Sequence, residues 1–219
     1  MTRYFSIRHN TARNRRFPEI CKIVDGVIDS GPCPTCKSGR RKPDGTLRVL
    51  VAQRQGSLWP DVIACGDYPC LVVSNRFVAA MRSCGVVMCI GGDVVVVDAD
   101  GSPCSIDLDP VYVWIDGADS ISAVMNFEAS GFVDVRFCPS CGIRSNDISR
   151  TYDRQHVASH NGYVLTYNSA IGLDVFTSDL SPTAFFCTQR VVDCASQHKL
   201  TNIAFRPLEQ AGVGEPMSY

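Results

Sequence analysis

The chain has 219 residues, 45% of them hydrophobic, and a formal net charge of −1. This length and hydrophobic content are sufficient for one large domain or two small ones. The near-neutral charge disfavours a nucleic-acid partner, because nucleic-acid-binding proteins usually carry a basic excess or a basic stripe, and no segment has the ~18 consecutive apolar residues that a membrane helix requires.

The chain contains twelve cysteines, which in a secreted protein would indicate disulfides. Residues 1–16 are polar and rich in arginine, however, and lack the apolar core of a secretion signal. We therefore expect a cytoplasmic protein in a reducing compartment, in which most cysteines outside the two motifs described below serve as small core residues. These cysteines are Cys21, Cys65, Cys70, Cys84, Cys89, Cys104, Cys187 and Cys194.

The predicted elements begin with a strand at 4–7, whose alternate side chains would face the core. Pro43-Asp44-Gly45, Gly91-Gly92 and Asp98-Ala99-Asp100-Gly101 predict turns between strands. Residues 118–130 give an ambiguous pattern. The other strands predicted up to the second cysteine motif cover 20–28, 46–51, 71–73, 86–90, 94–97, 111–115 and 132–137.

The strongest helix signal covers residues 74–84. Ser74 can accept hydrogen bonds from the free N–H groups of the first turn, so it is the predicted N-cap. Phe77, Val78 and Met81 recur at helical spacing, and Gly85 stands where a left-handed residue ends a helix. A short strand before this segment and another after it predict a strand–helix–strand unit.

The C-terminal part repeats this order of elements. After a strand predicted at 163–167 and a short turn and strand at 172–177, a strand at 184–187 leads into a helix at 188–198, with Thr188 as the N-cap, and a strand at 200–205. Residues 185–204 align with 71–90 without a gap, and Asp174 aligns with Asp61 after one residue of slippage. Duplication would explain this shared plan, although strand–helix–strand units look alike in many α+β proteins.

These elements predict an α+β fold with mixed or largely antiparallel sheets, few helices and two similar strand–helix–strand units. We predict a single zinc-clamped domain over residues 1–219, with two pseudo-repeated halves at 1–130 and 131–219.

Two Cys-x-x-Cys motifs, at 33–36 and 138–141, stand about a hundred residues apart. Two thiolates at this spacing can bind one metal ion, and the two motifs together provide four thiolates for tetrahedral Zn2+. Compact zinc ribbons separate their motifs by only ~15–20 residues, so the intervening chain would be a folded insertion clamped at its ends. The alternatives are redox pairs, two separate metal sites and coincidence in a cysteine-rich chain. We predict one structural zinc ion bound by Cys33, Cys36, Cys138 and Cys141.

Three other groups of polar residues are weaker candidates. His156 and His160 would share one helix face, but the general base of a metalloprotease is missing between them. Asp61 and Asp174 could form an acid pair, although each stands at a loop-to-strand boundary where a carboxylate can accept from neighbouring N–H groups. The third group has no calcium-loop spacing and fits a hairpin turn. It consists of Asp98, Asp100, Asp107 and Asp109.

The two Cys-Pro-x-Cys motifs, with Gly142 after the second, resemble those of the double-CXXCG proteins, and so do the segments 172–176, 186–190 and 200–208. These proteins are best known as paralogues in myxobacteria and are linked to immunity proteins of bacterial polymorphic toxin systems. Lys37 stands where the first motif of the family has glycine. The resemblance implies a cytoplasmic, non-enzymatic protein that binds and neutralises a cognate toxin.

The predicted function is therefore that of a zinc-binding immunity protein whose partner is a protein toxin. The absence of a phosphate loop, a nucleophile elbow or a Cys–His signature favours a non-enzyme. The acidic group at Asp98, Asp100, Asp107 and Asp109 is the predicted partner-binding surface, since it would attract a basic toxin. The alternatives are a zinc-ribbon nucleic-acid-binding or regulatory protein, which the net charge disfavours, and a thiol redox enzyme.

Overall fold

The chain folds as a mostly-sheet α+β protein, as predicted. In the computed structural model, the described residues form two six-stranded sheets, one two-stranded sheet and two α-helices. The described residues are 3–8, 20–37, 39, 41–53, 59–63, 70–98, 101–104, 111–126, 130, 135–142, 144–145, 164–167, 172–179 and 184–208.

The helices and strands have the following bounds. The helices are α1 (Asn75–Ser83) and α2 (Gln189–Gln197). The strands are β1 (Tyr4–Arg8), β2 (Ile20–Asp29), β3 (Arg41–Gln53), β4 (Val62–Ile63), β5 (Cys70–Ser74), β6 (Ile90–Val97), β7 (Tyr112–Asp116), β8 (Ile121–Met125), β9 (Arg136–Phe137), β10 (Arg144–Ser145), β11 (Leu165–Tyr167), β12 (Val175–Ser178), β13 (Phe186–Thr188) and β14 (Ala204–Pro207).

Both large sheets are mixed. Sheet 1 has the order β2-β3-β6-β7-β5-β4, with one parallel pair between β3 and β6. Sheet 2 has the order β11-β8-β12-β13-β1-β14, with one parallel pair between β8 and β12. Strands β1 and β8, which lie within residues 1–130, therefore pair in this sheet with strands from residues 131–219.

Helix α1 begins and ends where the sequence predicts. The Ser74 hydroxyl accepts from the N–H of Phe77 at 3.0 Å, which satisfies one free donor of the first turn. Gly85 follows the C-cap residue with φ of 68°, the left-handed conformation that glycine adopts without strain. Helix α2 also begins after its predicted cap, Thr188, but the hydroxyl of this residue makes no capping bond to the helix.

The two predicted strand–helix–strand units have the same pairing around them. β4 pairs antiparallel with β5 as β12 pairs with β13, and in both units this second strand leads directly into the helix. β7 pairs with both β5 and β6, and in the other unit β1 takes this place between β13 and β14. Gly92 lies opposite Trp114, and Arg206 lies opposite Ser6, at the corresponding positions of the two units.

A shared core holds the two units together. Successive residues of a strand point to opposite faces of its sheet, and in β5 Val73 belongs to this shared core, whereas Val72 packs on the other face. The shared core combines buried side chains from both sheets and both helices. Its members include Phe5, Val62, Val73, Phe77, Met81, Ile115, Val175, Phe185 and Val191.

The predicted turn at Gly91-Gly92 is wrong, because both glycines lie inside strand β6. A Cβ on Gly91 would stand 2.1 Å from the Trp114 ring, and a Cβ on Gly92 would stand 2.5 Å from the carbonyl oxygen of Gly45. The Trp114 indole N–H donates to that same carbonyl at 2.9 Å. These glycines therefore allow a close approach of an aromatic ring and a backbone, not a reversal of the chain.

Three further predictions differ from the structure. Pro43-Asp44-Gly45 lies inside β3, where the β2–β3 register is irregular, so the predicted turn is a local bulge. The segments after the helices are irregular at 86–89 and 200–203, and strands β6 and β14 begin later than predicted. Strand β8 occupies part of the segment 118–130, which had no assignment.

Candidate metal centre

Each Cys-x-x-Cys motif forms a tight turn closed by a backbone hydrogen bond. The N–H of Lys37 donates to the carbonyl of Cys33 at 2.9 Å, and the N–H of Gly142 donates to the carbonyl of Cys138 at 2.8 Å. Lys37 has φ of 62° and Gly142 has φ of 72°, so both turns end in the left-handed conformation. The structure therefore places Lys37 at the position that a glycine occupies in the second motif.

The two turns bring all four sulfurs together, and these sulfurs lie within 4.8 Å of one another. The Cys33 and Cys138 sulfurs are 3.8 Å apart, and the Cys36 and Cys141 sulfurs are 3.6 Å apart. Four thiolates at ~2.3 Å from a tetrahedral Zn2+ stand ~3.8 Å from one another. The cluster thus has the dimensions that one tetrahedral metal ion requires, and it can hold a metal ion.

The turns face each other through equivalent positions. Cys33 lies against Cys138, Cys36 lies against Cys141, and the Thr35 and Ser140 hydroxyls are hydrogen-bonded at 2.6 Å. In each of these three pairs the residues are 105 positions apart in the chain. This local two-fold arrangement closes the cluster from both sides, and the first cysteine of each turn is buried.

Backbone donors favour the thiolate form in this cluster. The pKa of Cys33 lies below the ordinary value of a thiol, chiefly because the N–H of Cys36 and then that of Thr35 stabilise the charged sulfur. Burial opposes this effect. A metal ion binds thiolates rather than thiols, so these N–H groups favour the form of Cys33 that can bind a metal ion.

The structure disfavours the hypothesis that the two motifs are redox-active cysteine pairs. A reactive Cys-x-x-Cys pair usually stands at a helix N-terminus, whose dipole lowers the pKa of the first thiol. In the described residues, the first motif is followed by strand β3 and the second by strand β10. The four-sulfur arrangement also disfavours two separate sites, because each sulfur lies within metal-binding distance of the other pair.

The predicted acidic surface is only partly described. Asp98 is exposed and forms part of a turn, in which the N–H of Gly101 donates to its carbonyl and the Cys104 thiol donates to its carboxylate at 3.0 Å. Asp100, Asp107 and Asp109 lie outside the described residues, as do His156 and His160.

Asp61 does not form an acid pair with Asp174 but connects the two units. Its carboxylate accepts from the Ser74 hydroxyl at 2.8 Å and from Arg76 at 2.6 Å. It also accepts from the N–H and the hydroxyl of Thr201, in the segment after α2. Because Asp61 is only 3% exposed, these four donors replace the water that the carboxylate loses on burial.

Asp174 makes the equivalent connection in the opposite direction. Its carboxylate accepts from the Thr188 hydroxyl at 2.7 Å, from Arg190 at 3.2 Å and from the N–H of Val87, in the segment after α1. Each arginine continues across to the end of the other helix: Arg76 donates to the carbonyl of His198, and Arg190 donates to that of Gly85. The two aspartates therefore have a structural role in the described fold.

A second group of potential metal ligands was not recognised from the sequence. Cys84, Cys194 and His198 bring two sulfurs and an imidazole nitrogen within 4.8 Å of one another. Burial raises the pKa of Cys194 to about 12, with a further contribution from the neighbouring Cys84 thiol. The available signal was the spacing of Cys194 and His198, since residues four apart share one face of a helix.

The remaining described cysteines fit the prediction of core residues. Cys70 and Cys187 are buried, and Cys89 and Cys104 are half-buried. Burial raises the pKa of Cys70 to about 12, and that of Cys187 also lies above its ordinary value because of burial. Buried thiols with a raised pKa, such as these two, are chemically inert at neutral pH. Cys21 and Cys65 are outside the described side chains.

No protein-family model matches the sequence, and none of the curated proteins matches it. In the part of the chain that the structure describes, no helix has both the length and the apolar character needed to cross a membrane.

Proposed function

We propose that this protein is a zinc-clamped immunity protein, which neutralises a cognate bacterial toxin by binding it. The observation that carries the metal part of the proposal is the four-sulfur cluster, whose separations of 3.6 and 3.8 Å fit a tetrahedral ion. Thiolate ligands in this geometry favour Zn2+ or iron. We assign Zn2+, because it is the usual ion of structural four-cysteine sites formed by paired Cys-x-x-Cys turns.

A four-thiolate site has no open coordination position, so it supports a structural role rather than a catalytic one. It joins segments that are 105 residues apart. The partner surface would then lie on loops and strand edges elsewhere in the molecule, which the clamp keeps in place. The resemblance of the cysteine motifs and the C-terminal segments to double-CXXCG proteins supports a toxin as the partner, and exposed Asp98 is the described part of the proposed acidic surface.

Two described cations near the first motif are already bonded within the protein, which gives little support to the nucleic-acid alternative. Arg41 forms an ion pair with Asp29 at 2.9 Å, and the Lys37 ammonium donates to the carbonyl of Pro34 at 2.9 Å. A phosphate-binding surface would need several cations that point together towards the ligand.

The metal part is tested by elemental analysis of protein purified without chelator. We expect one or more zinc ions per chain, with the four-cysteine site accounting for one of them. Protein that contains iron instead, or that keeps its full metal content when Cys36 is replaced by serine, would contradict the zinc assignment to this site.

The immunity part is tested by co-expression with the toxin domain encoded beside this gene. We expect the cells to survive and the two proteins to be recovered as a complex in a pull-down. Asp98→Lys should weaken the complex, whereas Asp119→Lys, at an exposed carboxylate before β8, serves as the matched control. If cells die at the same rate with and without the protein and no complex forms, the immunity proposal is wrong.

A further inference from the structure

The two helices bring a second set of metal-binding side chains together, away from the Cys-x-x-Cys turns in sequence. Cys84 is the C-cap of α1, and His198 is the C-cap of α2. Cys194 lies one helical turn before His198, so their side chains share one face of α2. The two sulfurs and the imidazole nitrogen all lie within 4.8 Å of one another.

This cluster opens onto a surface pocket of about 750 Å3. Cys194 is buried at 2% exposure, whereas Cys84 and His198 are half-buried and line the pocket together with Gln197 and Asp193. A small ligand can therefore reach the cluster from solvent. The four-cysteine cluster differs in this respect, because its ligands surround the metal position on all sides.

The electrostatics at this position suit a cation. The carbonyl groups at a helix C-terminus carry a partial negative charge, and two ligands of the cluster stand at helix C-termini. The arginine in the pocket lining, Arg190, donates to the Asp174 carboxylate at 3.2 Å and to the carbonyl of Gly85 at 3.1 Å. These two bonds compensate part of its charge.

We propose that Cys84, Cys194 and His198 form a second metal site, which binds Zn2+ through three protein ligands and presents a fourth coordination position to the pocket. Two thiolates and one imidazole suit Zn2+ in chemical softness. Three protein ligands with an exchangeable fourth ligand are typical of reactive zinc sites, whereas four protein ligands are typical of structural ones. The protein would then contain one closed and one open zinc site.

Binding at this site exchanges existing hydrogen bonds for metal–ligand bonds. In its thiol form Cys194 donates to the carbonyl of Ala80 at 3.2 Å. On binding, Cys84 and Cys194 each lose a proton to solvent and the two thiolates bind the ion, while neutral His198 contributes a ring nitrogen lone pair. Ser83 is positioned to orient the ring, because its hydroxyl lies 3.4 Å from His198 Nε2.

The first experiment measures metal stoichiometry by native mass spectrometry, after the protein has been loaded with Zn2+ under reducing conditions and excess ion removed. We expect two zinc ions per wild-type chain and one in Cys84→Ser and in His198→Asn. Cys89→Ser is the matched control, because it removes a half-buried thiol outside the cluster and should keep both ions. Circular dichroism and thermal melting establish that each variant is folded.

Two results of this experiment would overturn the site: a wild-type chain that binds one ion and loses it in Cys36→Ser, or an ion count that is unchanged when Cys84 or His198 is replaced. The measurement also separates this proposal from the zinc assignment above. Loss of the four-cysteine ion in Cys36→Ser should leave one ion bound, and that remaining ion should disappear when Cys84→Ser is added.

The second experiment tests the open position with Co2+ as the probe. Azide added to the Co2+-loaded protein should bind the open ion and change its visible absorption, and the change should be absent in Cys84→Ser. Unchanged absorption in the wild type would mean that the fourth position is closed and would contradict this part of the proposal. If thiol counting on protein kept in reductant finds Cys84 and Cys194 joined as a disulfide, the site cannot form.

Discussion

Lys37 has a backbone conformation that favours glycine. Its φ of 62° matches the 72° of Gly142, at the equivalent position of the other Cys-x-x-Cys turn. The left-handed conformation is less stable by about 1–2 kcal/mol for a residue that has a Cβ. The first turn therefore carries strain that the second does not, and the Lys37 ammonium compensates for only part of it through an exposed bond to Pro34.

We expect Lys37→Gly to raise the free energy of unfolding of the zinc-loaded protein by about 0.5–1 kcal/mol, because relief of the strain exceeds the added freedom of glycine in the unfolded chain. Urea denaturation measures this change. Gly142→Ala is the reciprocal control and should lower the stability by a similar amount. A Lys37→Gly protein that is less stable than the wild type would mean that the Lys37–Pro34 bond outweighs the strain.

Residue-level prediction worked best where chemistry and local spacing coincide. The sequence identified Cys33 and Cys36, with their counterparts in the second motif, because a Cys-x-x-Cys turn brings its own two thiols together. It did not identify the group formed by Cys84, Cys194 and His198, because the first of these lies on a different helix. Only the packing of α1 against α2 creates that group, and no local pattern encodes such a contact.

At the scale of elements, caps and periodicity were sufficient to predict both helices to within about one residue. The strands were predicted less well. Gly91 and Gly92 have the composition of a turn, but their function in the fold is to accommodate Trp114 from the neighbouring strand. The sequence could not distinguish these two roles, because the deciding neighbour is Trp114, which lies more than twenty residues further along the chain.

The packing of β6 against β7 can be tested by a substitution at Gly91. We expect Gly91→Ala to lower the free energy of unfolding by about 1–3 kcal/mol, because its Cβ would stand 2.1 Å from the Trp114 ring and force a displacement in a packed region. Chemical denaturation followed by Trp fluorescence measures the loss. Gly39→Ala is the matched control, since its Cβ would meet nothing within 4 Å. Equal stability of the two variants would show that the ring moves without cost.

The two aspartates link elements that are distant in sequence. Arg76 and Arg190 are more than half exposed, so their ion pairs contribute little by themselves. The larger contribution comes from buried donors, such as the Ser74 hydroxyl, which would lose their acceptor if the carboxylate were removed.

We therefore expect Asp61→Asn and Asp174→Asn each to lower the free energy of unfolding by about 2–3 kcal/mol, since an amide cannot accept from all the donors that the carboxylate satisfies. Thermal and urea unfolding measure both variants, with exposed Asp119→Asn as the control. The equivalent bonding of the two aspartates predicts similar losses. A loss at only one of them would contradict their equivalence in the fold.

At the scale of the whole molecule, the sequence predicted the class of fold and the presence of two similar units, but not how the sheets are assembled. Strand β1 comes from the start of the chain and occupies, between β13 and β14, the place that β7 occupies between β5 and β6. The position of β1 in this sheet depends on pairing between strands that are far apart in the chain, which no local pattern specifies. The division into halves at 1–130 and 131–219 remains a prediction about the origin of the chain.

The four-cysteine cluster connects segments 105 residues apart, and its loss should therefore affect the stability of the whole molecule. We expect Cys138→Ser, or chelation of the Cys84→Ser protein, which keeps only the four-cysteine ion, to lower the free energy of unfolding by about 5 kcal/mol, the amount expected for releasing a cross-linked loop of about 100 residues. Urea denaturation with and without chelator measures the loss. With Cys84→Ser also present, so that only the four-cysteine ion can bind, chelation should have little further effect on Cys138→Ser, while Cys89→Ser should respond to chelator as the wild type does. A wild-type protein whose unfolding midpoint is the same with and without chelator would show that the cluster does not clamp the fold.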